Sequence, residues 1–271
     1  MLANDKVPLW KGRPPYASGD YREDAPFLDI YRADPKKSTG SAMLIFPGGS
    51  YTFLSEKSGS EYGKWLAAEG VTGCVVNFRL GSRGHRYRAL LSDGWRAISL
   101  VRSMASAWNI DPQKVGVIGT SAGGHLASLL LTGAGRDTLH DCSSDELDPN
   151  TTAPALGVLC YSVLSMTDPL AHQETRGNFL GEQKGDKTMQ EAFTPYLHVS
   201  STTAPCFIWH TIEDKEVSVD NSKRFAEALS TQGVPHEVHF YEKGAHALGL
   251  ARNEGLLWSN DCIRWLRSHE F

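Results

Sequence analysis

Apolar residues in this chain fall into short unbroken runs, separated by stretches whose apolar positions recur every three or four residues. Ser41–Phe46 (SAMLIF), Thr72–Phe78 (TGCVVNF), Val115–Ile118, Ala155–Ser162 (ALGVLCYS) and Pro205–Thr211 (PCFIWHT) are near-continuous apolar runs. Such runs read as strands covered on both faces rather than half-solvated ones. Between them, Glu56–Glu69 carries Tyr62, Trp65, Leu66 and Ala67 on one side, and Gly70 ends it. Arg88–Trp108 carries Leu91, Trp95, Ile98, Val101 and Ala105 at helical steps, and Asn109-Ile110-Asp111-Pro112 breaks it. Ala122–Leu131, Asn221–Gln232 and Glu254–Ser268 complete the predicted helices, with a strand at His236–Tyr241 and an edge strand at Phe27–Arg32. Strand and helix alternate, which predicts an α/β fold with a mostly parallel sheet and helices on both faces.

Three stretches fall outside that rhythm. Residues 1–26 are rich in Pro, Gly and charge and read as an extended surface arm, and Ala134–Pro154 reads as a polar loop. Val163–Ala204 has helical fragments around Phe179-Leu180 and Met189–Phe193. It is too long for a simple connection, so a small cap beside the functional site is expected there. No repeat, low-complexity tract or break in composition divides the chain, and one domain over residues 1–271 is the expectation.

Composition narrows the partners more than the fold. A net charge of −4 gives no reason to expect nucleic acid or an anionic membrane surface as a partner. No apolar run approaches the roughly 20 residues that span a bilayer. The opening MLANDKVPLWKGRPPY lacks a basic segment followed by an apolar one, so the expectation is a cytoplasmic protein, or a secreted or periplasmic one whose signal has been removed. Cysteines at 74, 142, 160, 206 and 262 show neither C-x-x-C nor Cys/His spacing, so no disulfide framework, metal or other cofactor is implied.

The chemistry gathers around Lys114–Thr132. Gly119-Thr120-Ser121-Ala122-Gly123 is a G-x-S-x-G pattern between a predicted strand and a predicted helix, the context that a nucleophile elbow requires. Glycines two before and two after let the two backbones approach while Ser121 holds a strained turn with Oγ exposed. The pattern alone also arises by chance in glycine-rich chains; its flanks are what favour a nucleophile.

In an open parallel sheet, ligands collect at the carboxyl ends of the strands. Ser121 follows the central strand, Asp214 with Glu213 beside it follows Pro205–Thr211, and His246 follows His236–Tyr241. The order Ser, Asp, His is that of the α/β-hydrolase fold. In that reading His246 takes the proton of Ser121 Oγ, and a carboxylate, Asp214 or Glu213, holds the imidazole. The N–H groups of Ala122, Gly49 and Ser50 are the candidate oxyanion donors, the latter two because Pro47-Gly48-Gly49-Ser50 follows an earlier strand. An ordinary glycine turn would look the same. His125 and Cys160 read as packed residues and His210 as one lying behind the site; Arg79 and Asp93 read either as a pair behind the site or as surface or scaffold residues. Most of the seven tryptophans fall at core positions.

Taken together, Phe46–Tyr51 (FPGGSY), Asn77–Leu80 (NFRL), Gly119–Ala127 (GTSAGGHLA), His210–Ser222 (HTIEDKEVSVDNS) and Gly244–Leu250 (GAHALGL) are familiar. From about Pro8 onward the chain resembles the bacterial α/β-hydrolases known as acetyl esterases, acetylxylan esterases and small feruloyl esterases, relatives of the hormone-sensitive-lipase group. The resemblance implies nucleophile Ser121, base His246 and acid Asp214, the last through a D-x-x-V pattern with Val217. It implies a serine esterase acting through an acyl-enzyme on short acyl esters of a carbohydrate or other small alcohol. Three positions depart from the pattern: Pro47 replaces the first histidine of H-G-G-G, Thr120 an acidic residue, and Ala247 a glycine after the histidine. Feruloyl esterase, a peptidase of the prolyl-oligopeptidase kind and a non-catalytic binding protein are the alternatives. The chain has no room for the peptidase's propeller, and a binding role would not need all three residues.

Overall fold

A computed structural model describes residues 5–17, 20, 22, 24–139 and 152–271. The strands are β1 (Asp5–Pro8), β2 (Phe27–Tyr31), β3 (Ala42–Phe46), β4 (Thr72–Asn77), β5 (Val115–Thr120), β6 (Gly157–Cys160), β7 (Cys206–Thr211) and β8 (His236–Tyr241). They form one sheet in the order β1-β2-β4-β3-β5-β6-β7-β8. The pairings β1·β2 and β2·β4 are antiparallel, and all the others are parallel. This is the α/β-hydrolase arrangement expected from the sequence.

The helices are α1 (Ser60–Ala68), α2 (Tyr87–Ser103), α3 (Ala105–Trp108), α4 (Ser121–Thr132), α5 (Gln173–Leu180), α6 (Lys187–Ala192), α7 (Asp220–Thr231) and α8 (Trp258–Ser268). Alternate residues of each strand face opposite layers. In β3, Met43 and Ile45 pack with Trp65 of α1 and Trp258 of α8, whereas Leu44 and Phe46 pack with Ile98 of α2 and Leu126 of α4. That two-sided burial explains the unbroken apolar runs. All seven tryptophans are buried, and so are Cys74, Cys160, Cys206 and Cys262.

The structure corrects the surface-arm reading of residues 1–26 for Asp5–Trp10. Asp5–Pro8 is an edge strand, and the chain then turns inward, burying Leu9 and Trp10. Trp10 Nε1 donates to Asp93 Oδ1 at 2.9 Å, and Arg79 meets both Asp93 oxygens at 2.8 Å while its Nη1 donates to Pro15 O at 2.6 Å. A buried ion pair therefore staples the segment to β4 and α2. A four-residue strand that is mostly exposed has no apolar signature, so the pattern could not reveal it.

Other boundaries moved for local reasons. The predicted helix Arg88–Trp108 breaks at Met104 into α2 and α3, and Asn109 closes α3 at φ 56°. The predicted helix Glu254–Ser268 begins only at Trp258, after a turn at Gly255. Of the polar loop Ala134–Pro154, residues 140–151, including Cys142, lie outside the described residues. Within Val163–Ala204, Phe179 and Phe193 are fully buried in the core shared by α2 and α4. The inserted segment is thus fastened to the main body beside the carboxyl edge of the sheet. Among the described residues, no helix is long and apolar enough to cross a membrane.

Candidate active site

Ser121 opens α4 directly after β5 at φ 51°, a left-handed conformation that a non-glycine residue adopts only when its surroundings impose it. The surroundings are the two close approaches foreseen at the flanking glycines. A Cβ on Gly119 would lie 2.5 Å from Gly123 O, and one on Gly123 would lie 2.1 Å from Phe46 O. Without side chains at either position, α4 can start directly against β5 and the end of β3.

His246 joins the other two residues. Its Nε2 lies 2.9 Å from Ser121 Oγ, and its Nδ1 lies 2.6 Å from Asp214 Oδ2. Asp214 therefore takes the place the sequence left open between it and Glu213. Glu213 is exposed and instead accepts from Gly244 N–H. Two nearby N–H groups, those of Glu216 and Val217, each donate to Asp214 Oδ1 at 2.9 Å. That geometry gives the D-x-x-V spacing its physical meaning: the carboxylate closes a short turn on itself. Burial alone would raise the Asp214 carboxyl pKa. Hydrogen bonds from His210, His246 and Val217 N–H, with the attraction of His246, outweigh burial and hold it well below the usual carboxylate range.

On the opposite side, the loop after β3 crosses directly over the serine. A Cβ on Gly48 would lie 3.1 Å from Ser121 Cβ, a tight contact that glycine avoids. Gly49, Ser50 and Tyr51 all have positive φ, at 127°, 53° and 60°. Ser50 O accepts from Asn178 Nδ2 at 2.8 Å, and the buried Tyr51 hydroxyl pairs with His125 Nδ1 at 2.9 Å. His125 Nε2 faces Phe193 O at 2.8 Å; a carbonyl can only accept, so Nε2 carries the hydrogen and Nδ1 receives the tyrosine proton. Burial pushes the His125 pKa down to about 4, which keeps the ring neutral. His125 is a packed strut, as expected, and Tyr51, Asn178 and Phe193 are supports that the sequence did not disclose. Ala122 N–H lies at the start of α4, among the helix donors that have no partner within the helix.

These groups enclose a cavity of about 240 Å³, lined by Gly49, Ser50, Phe53, Ser121, Tyr161 and His246, with Lys57, Glu174 and Glu216 also on its wall. Tyr161 packs edge-on against the His246 ring at 5.1 Å. Ala247, in the place of a glycine in the pattern, also lines the cavity and holds φ 60°. Among the described residues, no three His, Cys, Asp or Glu side chains converge as metal ligands would.

With this geometry in view, comparison with known proteins is informative. The BD-FAE family model matches residues 28–229. The chain belongs to the BD-FAE family. An acetylxylan esterase of Xylanibacter ruminicola is 30% identical over 243 residues, covering 86% of this chain and 47% of that protein. An endo-1,4-beta-xylanase B of Butyrivibrio fibrisolvens is 28% identical over 230 residues, covering 84% of this chain and 35% of that protein. The chain thus spans half or less of the length of these two curated relatives. A crystal structure of an acetyl ester-xyloside bifunctional hydrolase from Caldicellulosiruptor lactoaceticus superposes with a TM-score of 0.88 at 35% identity, covering 100% of this chain and 98% of that one. This BD-FAE chain thus shares the α/β-hydrolase fold of that hydrolase over its whole length.

Proposed function

We propose that this BD-FAE chain is a serine carboxylesterase that removes short acyl groups, chiefly acetyl, from carbohydrate esters such as acetylated xylan. One observation carries the reading: His246 bridges Ser121 Oγ at 2.9 Å and Asp214 at 2.6 Å on the wall of a cavity at the carboxyl edge of the sheet. Serine is a weak nucleophile at neutral pH, and this contact gives its proton somewhere to go.

In the proposed cycle, Ser121 Oγ attacks the ester carbonyl carbon while its proton passes to His246 Nε2. Asp214 keeps Nδ1 protonated and stabilises the imidazolium. The N–H groups of Ala122, Gly49 and Ser50 receive the negative oxygen. Collapse of the tetrahedral species breaks the bond to the alcohol, which leaves with the proton from His246, and the acyl group stays on Ser121. Water, deprotonated by His246, attacks the acyl-enzyme, and carboxylic acid is released with Ser121 reprotonated.

Size supports a short acyl group. A cavity of about 240 Å³ lies below the roughly 300 Å³ at which drug-sized ligand sites begin. The carbohydrate half of the reading rests on relatives that are named for acetylxylan and acetyl ester-xyloside hydrolysis. A feruloyl ester is the second reading, because Phe53 stands 58% exposed on the cavity wall and offers a ring to stack on. Acetate release from acetylated xylan and from simple acetates, beside a feruloyl ester and with Ser121→Ala as control, tests both. Release that depends on Ser121 and favours acetylated xylan is the expected result. Faster turnover of the feruloyl ester moves the assignment to that branch, and no hydrolysis by the folded protein removes the esterase reading.

A further inference from the structure

Behind the acid lies a histidine that the proposed cycle does not use. His210 is fully buried at the end of β7, four residues before Asp214. Its Nε2 lies 3.1 Å from Asp214 Oδ2 and 2.9 Å from Val217 O. Both are acceptors, so Nε2 carries a hydrogen shared between them. Its Nδ1 lies 2.8 Å from Ser222 Oγ, a hydroxyl that can pair with it as donor or acceptor. Every polar group that the ring touches is thereby satisfied.

We propose that His210 is a positioning residue that fixes the Asp214 carboxylate toward His246 and, by sharing Oδ2, loosens the grip of Asp214 on protonated His246. The claim rests on the serine-esterase reading only in its kinetic consequence. Four donors reach the carboxylate: Glu216 and Val217 N–H at Oδ1, and His246 and His210 at Oδ2. With each oxygen engaged twice, the carboxylate cannot turn away from the imidazole. The same sharing spreads the charge of Oδ2 over two N–H groups, so less of it acts on His246. A general base must release its proton to the departing alcohol, and a carboxylate bound to His246 alone would retain that proton more strongly.

Other groups act on His246 and must stay constant in any test. Tyr161 packs edge-on against it, His172 lies within electrostatic reach, and Lys57, Glu174 and Glu216 line the same cavity. None touches His210 in the hydrogen bonds described above; substitution there removes a donor from Asp214 Oδ2 and from Val217 O, which the glutamine variant can restore to either.

The test is an NMR titration of the His246 ring in the full chain, with kcat/KM against pH as a second readout. His210→Phe and His210→Met remove the donor, His210→Gln retains an N–H, and Ser222→Ala spares the Nε2 contact. Both non-donating variants should titrate His246 about half a unit to one unit higher than the parent. Their acid limb of kcat/KM should move up in parallel, with kcat reduced about tenfold. Glutamine should restore most of the parent profile, and Ser222→Ala should leave the midpoint in place. Two results overturn the proposal: a folded His210→Met or His210→Phe with an unmoved His246 midpoint, or a glutamine variant indistinguishable from methionine. Methionine packs adaptably and keeps the test open if phenylalanine prevents folding. A parent that hydrolyses no ester defeats the esterase reading, while the NMR midpoints still decide the role of His210.

Discussion

Two loops meet at Ser121, and they are held in opposite ways. The loop after β7 is self-contained: Asp214 takes hydrogen bonds from Glu216 and Val217, two and three residues later, and from His210, four residues earlier. The loop after β3 is held from afar. Its positive-φ residues Ser50 and Tyr51 are anchored by Asn178 and by His125, which in turn bonds Phe193. Positive φ at a non-glycine residue costs on the order of 1–3 kcal/mol, and these distant contacts add to the loop's own turn bonds, Thr52 N–H to Gly49 O at 2.7 Å and Ser55 N–H to Gly48 O at 3.0 Å, in holding that shape. Asp214 is placed by local chemistry, and the loop over Ser121 by tertiary contacts in addition to its own turn.

The difference can be broken from either end. The largest effects belong to groups common to both halves. Ser121→Ala should remove ester hydrolysis by a factor of about 10⁶ in kcat, read against a parent of equal folding by circular dichroism. Asp214→Asn should cost about 10⁴ in kcat, because the amide presents the wrong hydrogen to His246 Nδ1. Stability should barely reflect the first and clearly reflect the second, since Asp214 is buried with four donors around it.

Smaller effects separate the loops. Tyr51→Phe keeps the ring stacked on Phe179 at 5.2 Å but removes the bond to His125. It should lower kcat by about tenfold while leaving KM within twofold, because a loosened oxyanion donor weakens the transition state alone. Asn178→Ala, which frees Ser50 O, should act in the same direction; a KM effect in either variant would place the loop in substrate binding instead.

The last effect is one of pH and is read in stability rather than in rate. The folded His125 pKa is pushed down to about 4, against about 6.5 for an unfolded histidine, so between those values the unfolded chain binds more protons. Stability from this group is complete above about pH 6.5 and is lost as pH falls toward 4, by up to roughly 3 kcal/mol. Urea unfolding of the parent and of His125→Gln across that range should show a shallower pH slope in the variant. Equal slopes would mean that the ring is not held neutral.

What the sequence made legible follows the same division. Continuous apolar strands and the glycines around Ser121 are local patterns, and the mostly parallel sheet and the elbow were readable from them; the choice of Asp214 over Glu213 came only through the resemblance and its D-x-x-V pattern, and the sheet order needed coordinates. Tyr51, Asn178 and Phe193 meet the site across gaps of 74 residues to His125 for Tyr51, 128 to Ser50 for Asn178 and 68 to His125 for Phe193. No periodicity encodes such meetings. β1 escaped notice because it is short and mostly exposed, and the buried Trp10–Asp93–Arg79 staple joins residues that only folding brings together. His210 was visible as a neighbour of the acid, but its shared hydrogen bond needed coordinates.

The central claim is that Ser121 is an activated nucleophile. Mass spectrometry of the intact protein after brief exposure to a fluorophosphonate, followed by peptide mapping, tests it most directly. The account predicts a single adduct on the peptide containing Ser121, absent in Ser121→Ala and formed far more slowly in Asp214→Asn. An unmodified parent, or an adduct that persists in Ser121→Ala, would contradict it.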